Sequence, residues 1–393
     1  RKCKRSNEEF VAGRISPRLW PHAAAHGAGR ETQLGAEVKR PAVFAIPGDI
    51  ETRTGGYIYE RQLLLALRRG GRDVAHLALP GSYPAPTPQD VATTADALAA
   101  IPPETPVLLD GFLSGATEPA ALARLRAPFV PVTHHPLALE TGLDPARAAH
   151  LHRVETANLA RAAHVVVPSP HTAAILAEHF DVAPGRVTVA PPGIARPPRP
   201  VGDRRRGPGP LRLLAVGQLV PRKGHDVLLR ALARLRGFDW TAVIVGGAPD
   251  ADCAAELLSL RDGLGLAGRV RFAGEVSQET LAQHYAEADV FALATRYEGY
   301  GMVFAEALVH GLPIVTCAGG AVPETVPEGT GLLVPPDDVP AYAEALGRVM
   351  SDAALRGRLT DAAKAAGARL PTWDDTAAIV DAVLDRVTGG VPT

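Results

Sequence analysis

Two glutamates stand eight residues apart in "EGYGMVFAE", Glu298 and Glu306, with Gly299 and Gly301 just after the first and an apolar run around the second. As an acid/base pair acting on one sugar bond, their carboxylates would have to lie roughly 5 to 10 Å apart. Eight residues of helix rise about 12 Å. The glycines before Met302 also argue against one continuous helix, so the spacing predicts Glu298 in a loop and Glu306 inside a helix that starts near Gly301. Two separated carboxylates suit two ends of one extended ligand, with Glu298 at the hydroxyls of a sugar and Glu306 at those of a ribose. Bare backbone at Gly299 and Gly301 and the helix N-terminus would face a pyrophosphate between them. Such a ligand is a nucleotide sugar. The plainer alternative is an amphipathic helix with both carboxylates in solvent.

A cation for that pyrophosphate stands in "AVGQLVPRKGHDVLLRALARL", where Arg222, Lys223 and Gly224 fall between an apolar run and a helical pattern. The chain uses arginine nearly everywhere, and Lys223 is the sole lysine between Arg40 and Ala363. A compact ammonium on a flexible stem suits a phosphate oxygen. Gly55 and Gly56 in "TGGYIYERQLLLALRRGG" open another loop before a helix, a place where backbone N–H groups can approach an anion, or simply a tight turn. His134 and His135 end the apolar run "PFVPVTHH". Adjacent strand residues point to opposite faces, so the two are not expected to share a metal; one should be buried and hydrogen-bonded, the other exposed.

The elements that must hold these residues follow from a regular rhythm. Short apolar runs, "AVFAIPG", "DVAHLALPG", "PVLLDG", "PFVPVTHH", "HVVVPS" and "RVTVAPPG", are separated by segments of helical spacing, and after a break come "RLLAVGQ", "TAVIVGG", "RVRFAGE", "VFALAT", "PIVTC" and "GLLVPP". That alternation predicts an α/β chain of two doubly wound parallel sheets with helices on both faces and a ligand cleft at the carboxyl ends of their strands. The break, residues 196–210, is rich in proline, glycine and charge and reads as a linker between domains at 41–195 and 211–370. Residues 1–40 show no periodicity and read as a disordered extension or an expression remnant. The last segment, 371–393, carries Trp373 and an apolar stripe.

Composition narrows the classes of function. Lys+Arg of 41 against Asp+Glu of 42 leaves a formal charge of -1, so no overall field draws nucleic acid or an anionic membrane. Cys3, Cys253 and Cys317 lack any C-x-x-C or metal-ligand spacing and read as reduced thiols in a cytoplasmic protein. No run reaches the roughly 18 apolar residues of a spanning helix, which leaves peripheral membrane contact open.

On "EGYGMVFAEALVHGLPIV", supported in order by "VGQLVPRKGHD", "FAGEVSQETLAQHYAEADVFALAT", "GGAVPETV" and "GTGLLVPPDD", the chain resembles retaining glycosyltransferases of family 4, which have the GT-B fold of two Rossmann-like domains facing across a cleft. The resemblance covers roughly residues 41–385. It implies transfer of a hexose from a nucleoside diphosphate sugar to an acceptor hydroxyl, with retention of the anomeric configuration and with neither metal nor other cofactor; the lack of a D-x-D triplet agrees. It further implies Lys223 at the diphosphate and the stretch Gly299, Tyr300, Gly301, Met302, Val303 as donor-binding backbone. Glu298 would hold the sugar, Glu306 the ribose, and His135 would stand at the sugar as a positioning group. Members of the family often have arginine after the glycine of the "VG" turn; here it is Gln218, which can donate a hydrogen bond but adds no charge, so either Arg222 covers the phosphate or the donor binds more weakly. In the resembling fold Tyr57, His134 and Glu140 would line the acceptor side, and the C-terminal helix crosses back onto the first domain. "AIPGDIETRTGGYIYERQ" and "HHPLALETGL" are similar to a bacterial subgroup associated with pterin-synthesis enzymes. That places a pteridine among the candidate acceptors, with glycan, lipid-linked and other small-molecule hydroxyls. A nucleotide-sugar epimerase on the same fold and an inactive nucleotide-binding module remain as alternatives.

Overall fold

In the computed structural model, residues 39–140, 142–197 and 209–389 are described. Most of the stretch read as an extension and positions 198–208 of the linker lie outside the described residues. Each of the twelve apolar runs forms a strand. β1 (Ala42–Pro47), β2 (Val74–Leu79), β3 (Val107–Asp110), β4 (Phe129–Val132), β5 (Val165–Val167) and β6 (Val187–Val189) make one sheet in the order β2-β1-β3-β4-β5-β6. β7 (Leu211–Val216), β8 (Trp240–Val245), β9 (Val270–Gly274), β10 (Val290–Leu293), β11 (Ile314–Cys317) and β12 (Gly331–Val334) make the other, in the order β12-β11-β10-β7-β8-β9. All ladders are parallel. Continuous apolar runs such as Val290–Leu293, buried along their whole length, are what a parallel sheet covered on both faces demands.

The strand order fixes where a ligand can enter. In the first sheet the chain passes from β1 to β2 on one side and then to β3 on the other; in the second, β7 is followed by β8 on one side and, after β9, by β10 on the other. At such reversals the two flanking crossovers part and leave a crevice outside the carboxyl ends of the strands. Gly55 and Gly56 lie just beyond β1, Asp110 closes β3, and the two histidines follow β4. Lys223 lies beyond β7 and Glu298 beyond β10. The residues singled out in the sequence therefore gather at the two switch points.

The helix Trp373–Thr388 leaves the second sheet and packs on the helix Gly55–Arg69 of the first. Ala377, Val380, Val383 and Leu384 join the core beneath that helix, and burying a Val or Leu is worth about 1.5 to 3 kcal/mol. Arg72, 1% exposed, is held there by Asp381 and Asp385, and Thr376 Oγ1 donates to the carbonyl of Pro191 at 2.7 Å. The two described cysteines, Cys253 and Cys317, are free thiols. No helix among the described residues is long and apolar enough to cross a membrane.

Candidate active site

After β7 the backbone makes a turn at Gly217–Val220 and one 3-10 turn, Pro221–Lys223, before the helix His225–Arg234 begins. This short turn aims Arg222 and Lys223 at the loop after β10. Lys223 Nζ lies 2.7 Å from Glu298 Oε1, and Arg222 Nη1 lies 3.4 Å from Oε2 and donates to the carbonyl of Tyr297 at 2.9 Å. Thr295 Oγ1 donates to Glu298 Oε1 at 2.9 Å. The Glu298 side chain is only 7% exposed. Burial by itself pushes its carboxyl up, but Lys223 and Arg222 outweigh burial and hold it below the usual carboxylate range. Glu298 is therefore an ionised acceptor inside the protein, and Lys223 is far from a solvated surface lysine. Behind it, Arg296 braces the loop by pairing with Asp226 at 3.0 Å and with Asp337 at 2.8 Å. Gln218 is half-buried, and its carbonyl faces His225 Nε2 at 3.2 Å.

The helix carrying the second carboxylate spans Met302–Val309, as the glycine pattern predicts. Gly301, at φ 85, is its N-cap and brings no side chain to the first amides. Only glycine adopts that φ without strain, and the choice leaves the positive end of the helix bare for an anion. Glu306 accepts a 2.7 Å bond from Tyr285 Oη, and burial pushes its carboxyl up to about 6. Tyr300, between the glycines, is half-buried, with its hydroxyl pushed up to about 12 by burial. The two glutamates thus differ in chemistry as well as position: one is locked in ion pairs and held below the usual carboxylate range, the other accepts from a phenol and is pushed above it.

Across the cleft the sequence expectation for the histidines needs correction. β4 stops at Val132, so His134 and His135 lie in a bend where strand alternation no longer applies, and both are half-buried. The His135 ring packs at a tilt against that of Tyr297, next to Glu298, with centroids 4.6 Å apart, and burial lowers its pKa. His134 sits edge-on to Tyr59 at 4.9 Å. Gly299 lies so close to this bend that a Cβ there would collide with the carbonyl oxygen of His134. The carbonyl of Gly299 also accepts from Ser169 Oγ at 2.7 Å and from Thr172 Oγ1 at 3.3 Å. The loop of the second sheet is clasped there by two segments of the first. Gly55 and Gly56 are the opening residues of the helix Gly55–Arg69, and Tyr57 Oη donates to the carbonyl of Pro47 at 2.9 Å. Glu140 is exposed, with Oε1 3.9 Å from Arg222 Nε.

The structure therefore brings Lys223, Arg222, Glu298, Gly299 and His135 together and leaves Glu306 with its own partner one helical turn further on. Sequence reasoning missed Thr295, Tyr285, Ser169 and Thr172. For Ser169 a signal existed, since "SPHT" after an apolar run marks a helix N-cap, and Ser169 does cap Pro170–His179; that its hydroxyl also reaches Gly299 could not be read locally.

One buried, ion-paired carboxylate, Glu298, at the switch point of one of two doubly wound parallel sheets fits the architecture of GT-B glycosyltransferases. A family model described as "Glycosyl transferases group 1" matches residues 210–352 and one described as "Glycosyltransferase Family 4" matches residues 110–196, together more than half of the chain. The chain belongs to the family 4 glycosyltransferases. Among curated proteins, D-inositol 3-phosphate glycosyltransferase of Mycobacterium marinum is 34% identical over 205 residues, 49% of this chain and 43% of the relative. The match thus spans less than half the length of the curated relative. Among solved structures, sucrose-phosphate synthase of Thermosynechococcus elongatus superposes with a TM-score of 0.76 at 24% identity, over 89% of this chain and 99% of the other. An Anabaena protein, HepE, solved in complex with UDP and glucose, superposes with a TM-score of 0.72 at 19% identity, over 88% of this chain and 100% of the other.

Proposed function

We propose that the protein transfers a hexose from a nucleoside diphosphate sugar to an acceptor hydroxyl with retention of configuration. The observation that carries this reading is Glu298, buried and ionised between Lys223 and Arg222 beside the bare N-terminus of Met302–Val309. Lys223 has three N–H donors and spends one on Glu298, so it can hold that carboxylate and a phosphate oxygen at once. As the glycosidic bond breaks, negative charge grows on the departing diphosphate. Lys223, Arg222 and the helix N-terminus meet that charge and so stabilise the transition state more than the ground state. Glu298 accepts from the sugar hydroxyls and Glu306 from the ribose. His135, kept neutral by burial, positions the sugar, and Tyr57, His134 and Glu140 face the acceptor. The leaving phosphate takes the acceptor proton, so no metal and no separate enzymic base is part of the scheme. The named activity of the Mycobacterium relative and the UDP bound to the Anabaena protein support this reading. The acceptor class stays as broad as a glycan, a lipid-linked or a small-molecule hydroxyl, pteridines included.

The test is a donor and acceptor panel read by mass spectrometry, with the anomeric coupling of the isolated product read by NMR, in buffer containing EDTA. An α-linked donor should give an α-linked product at an undiminished rate. A β-linked product would overturn retention and the role given to Glu298. Donor converted to another sugar without acceptor would mean an epimerase.

A further inference from the structure

Beneath His134 lies a pair of buried carboxyls, one of which, Glu60, has no evident structural duty. Glu60, on the inner face of the helix Gly55–Arg69, is 1% exposed, and Asp110, at the end of β3, is 5% exposed. Asp110 Oδ1 accepts from the amides of Phe112 and Leu113, capping the short helix after it. Neither oxygen of Glu60 receives a bond from any N–H or hydroxyl among the described residues. Its polar neighbour is the carboxyl of Asp110, and that contact is a hydrogen bond only while one of the two holds a proton. The remaining neighbour is His134, whose buried Nε2 is also without a partner and lies 3.7 Å from Glu60 Oε1. The ring is nevertheless 26% exposed, so its buried edge meets Glu60 while another part of it meets solvent. Orphaned buried polar atoms are costly, and three of them converge here.

Which ring nitrogen of a neutral histidine carries the proton is decided by the bond the other one makes. We propose that Glu60, with Asp110, is a positioning residue that sets the tautomer of His134: the carboxyl pair, holding one proton between its members, accepts from Nε2–H, so that Nδ1 presents a lone pair to a polar hydrogen of the acceptor other than that of the reacting hydroxyl, which goes to the leaving phosphate. This rests on the proposed function, which puts the acceptor beside His134. The 3.7 Å separation is of the kind that tightens when a substrate closes the site. The charged and titratable groups around the pair come from three elements: Tyr57 and Tyr59 from the helix of Glu60 itself, Asp110 from β3, and His134 from the bend after β4. Asp49, from the loop after β1, reaches Tyr57. When Glu60 gains its own proton it becomes a donor to Nε2, and the proton of the ring moves to Nδ1.

The experiment uses the full chain labelled with 15N-histidine, with His134 assigned by its loss in His134→Asn. Nitrogen shifts recorded from pH 5 to 9 distinguish the two tautomers directly. The wild type should show His134 protonated at Nε2 above neutrality and a change of tautomer on acidification, and Glu60→Gln should abolish that change. In transfer assays Glu60→Gln should lower kcat by roughly tenfold to a hundredfold while donor KM stays within about twofold, since misplacing one group costs on that scale, and Glu60→Asp should recover part of it. The same tautomer at every pH in both proteins would overturn the proposal, and so would an altered tautomer with unchanged kcat. The expected NMR result without transfer from any nucleoside diphosphate sugar would instead sink the proposed function and leave the tautomer assignment standing.

Discussion

Each sheet of this molecule buries a carboxylate at its switch point, and the two are treated in opposite ways. Glu298 is met by an ammonium, a guanidinium and a hydroxyl, and its carboxyl is held below the usual range. Glu60 is met by another carboxyl and an imidazole, and burial pushes it up to about 7. Burial by itself disfavours both charges; what separates them is the partner set. The second sheet offers a finished electrostatic site, ready for a ligand whose charge is always present. The first offers unsatisfied groups whose protonation can change, which suits a neutral hydroxyl.

The largest expected effect breaks the finished side. Lys223→Ala leaves Glu298 buried with Arg222 as its remaining cation, and stripping one partner from a buried pair costs about 3 kcal/mol. Urea unfolding should show that loss, and the double variant Lys223→Ala, Glu298→Gln should regain most of it, because the stranded charge is gone. A double variant no more stable than the single one would mean that Lys223 supports the fold by packing and not by pairing.

Next in size is the kinetic division within the motif itself. Glu298→Gln keeps the shape and removes the charge that orients the sugar, so kcat should fall by about a hundredfold. Glu306→Gln, beside Tyr285, should mainly raise donor KM, by roughly three- to tenfold, the worth of one hydrogen bond to a hydroxyl. Steady-state kinetics with the donor found in the panel separates these, and equal KM effects at both positions would remove the distinction.

The last effect, felt only as pH changes, sharpens the unfinished side. The Glu60 carboxyl, ordinarily near 4.5, is pushed up to about 7 in the folded chain. Between those values the folded state keeps a proton that the unfolded chain has released, so stability declines as pH rises from about 4.5 to about 7 and is level above. Glu155, which accepts from the amides of Leu137 and Ala138 behind the histidine bend, is also pushed up to about 7 and acts with the same sign. Denaturation midpoints at pH 5 and pH 8 should therefore lie closer together in Glu60→Gln than in the wild type, by up to about 3 kcal/mol of stability. An unchanged pH dependence would show that Glu60 titrates normally.

The strands and the donor end were legible because their signals are local. A parallel strand buried on both faces shows as an apolar run, and a bare helix N-terminus shows as glycine before it, as at Gly301. Lys223 stood out by contrast with an arginine-rich chain. The histidine bend was misread because β4 ends at Val132, three residues before the end of the run "PFVPVTHH", and no local pattern marks that stop. Glu60 was invisible for a similar reason: within "GGYIYERQL" it resembles any helical glutamate, and only the neighbouring strands reveal that it points inward.

From the sequence alone follow two doubly wound sheets, the order of their strands along the chain, and the family to which Glu298, Glu306 and Lys223 belong, since periodicity and turn chemistry act over a few residues. Only the tertiary structure decided that Lys223 lies against Glu298, 75 residues away, that Gly299 is clasped by Ser169 and the His134 carbonyl, and that Glu60 faces Asp110. Those contacts join residues far apart in the chain, and the charge state of a buried group depends on which neighbours packing brings to it.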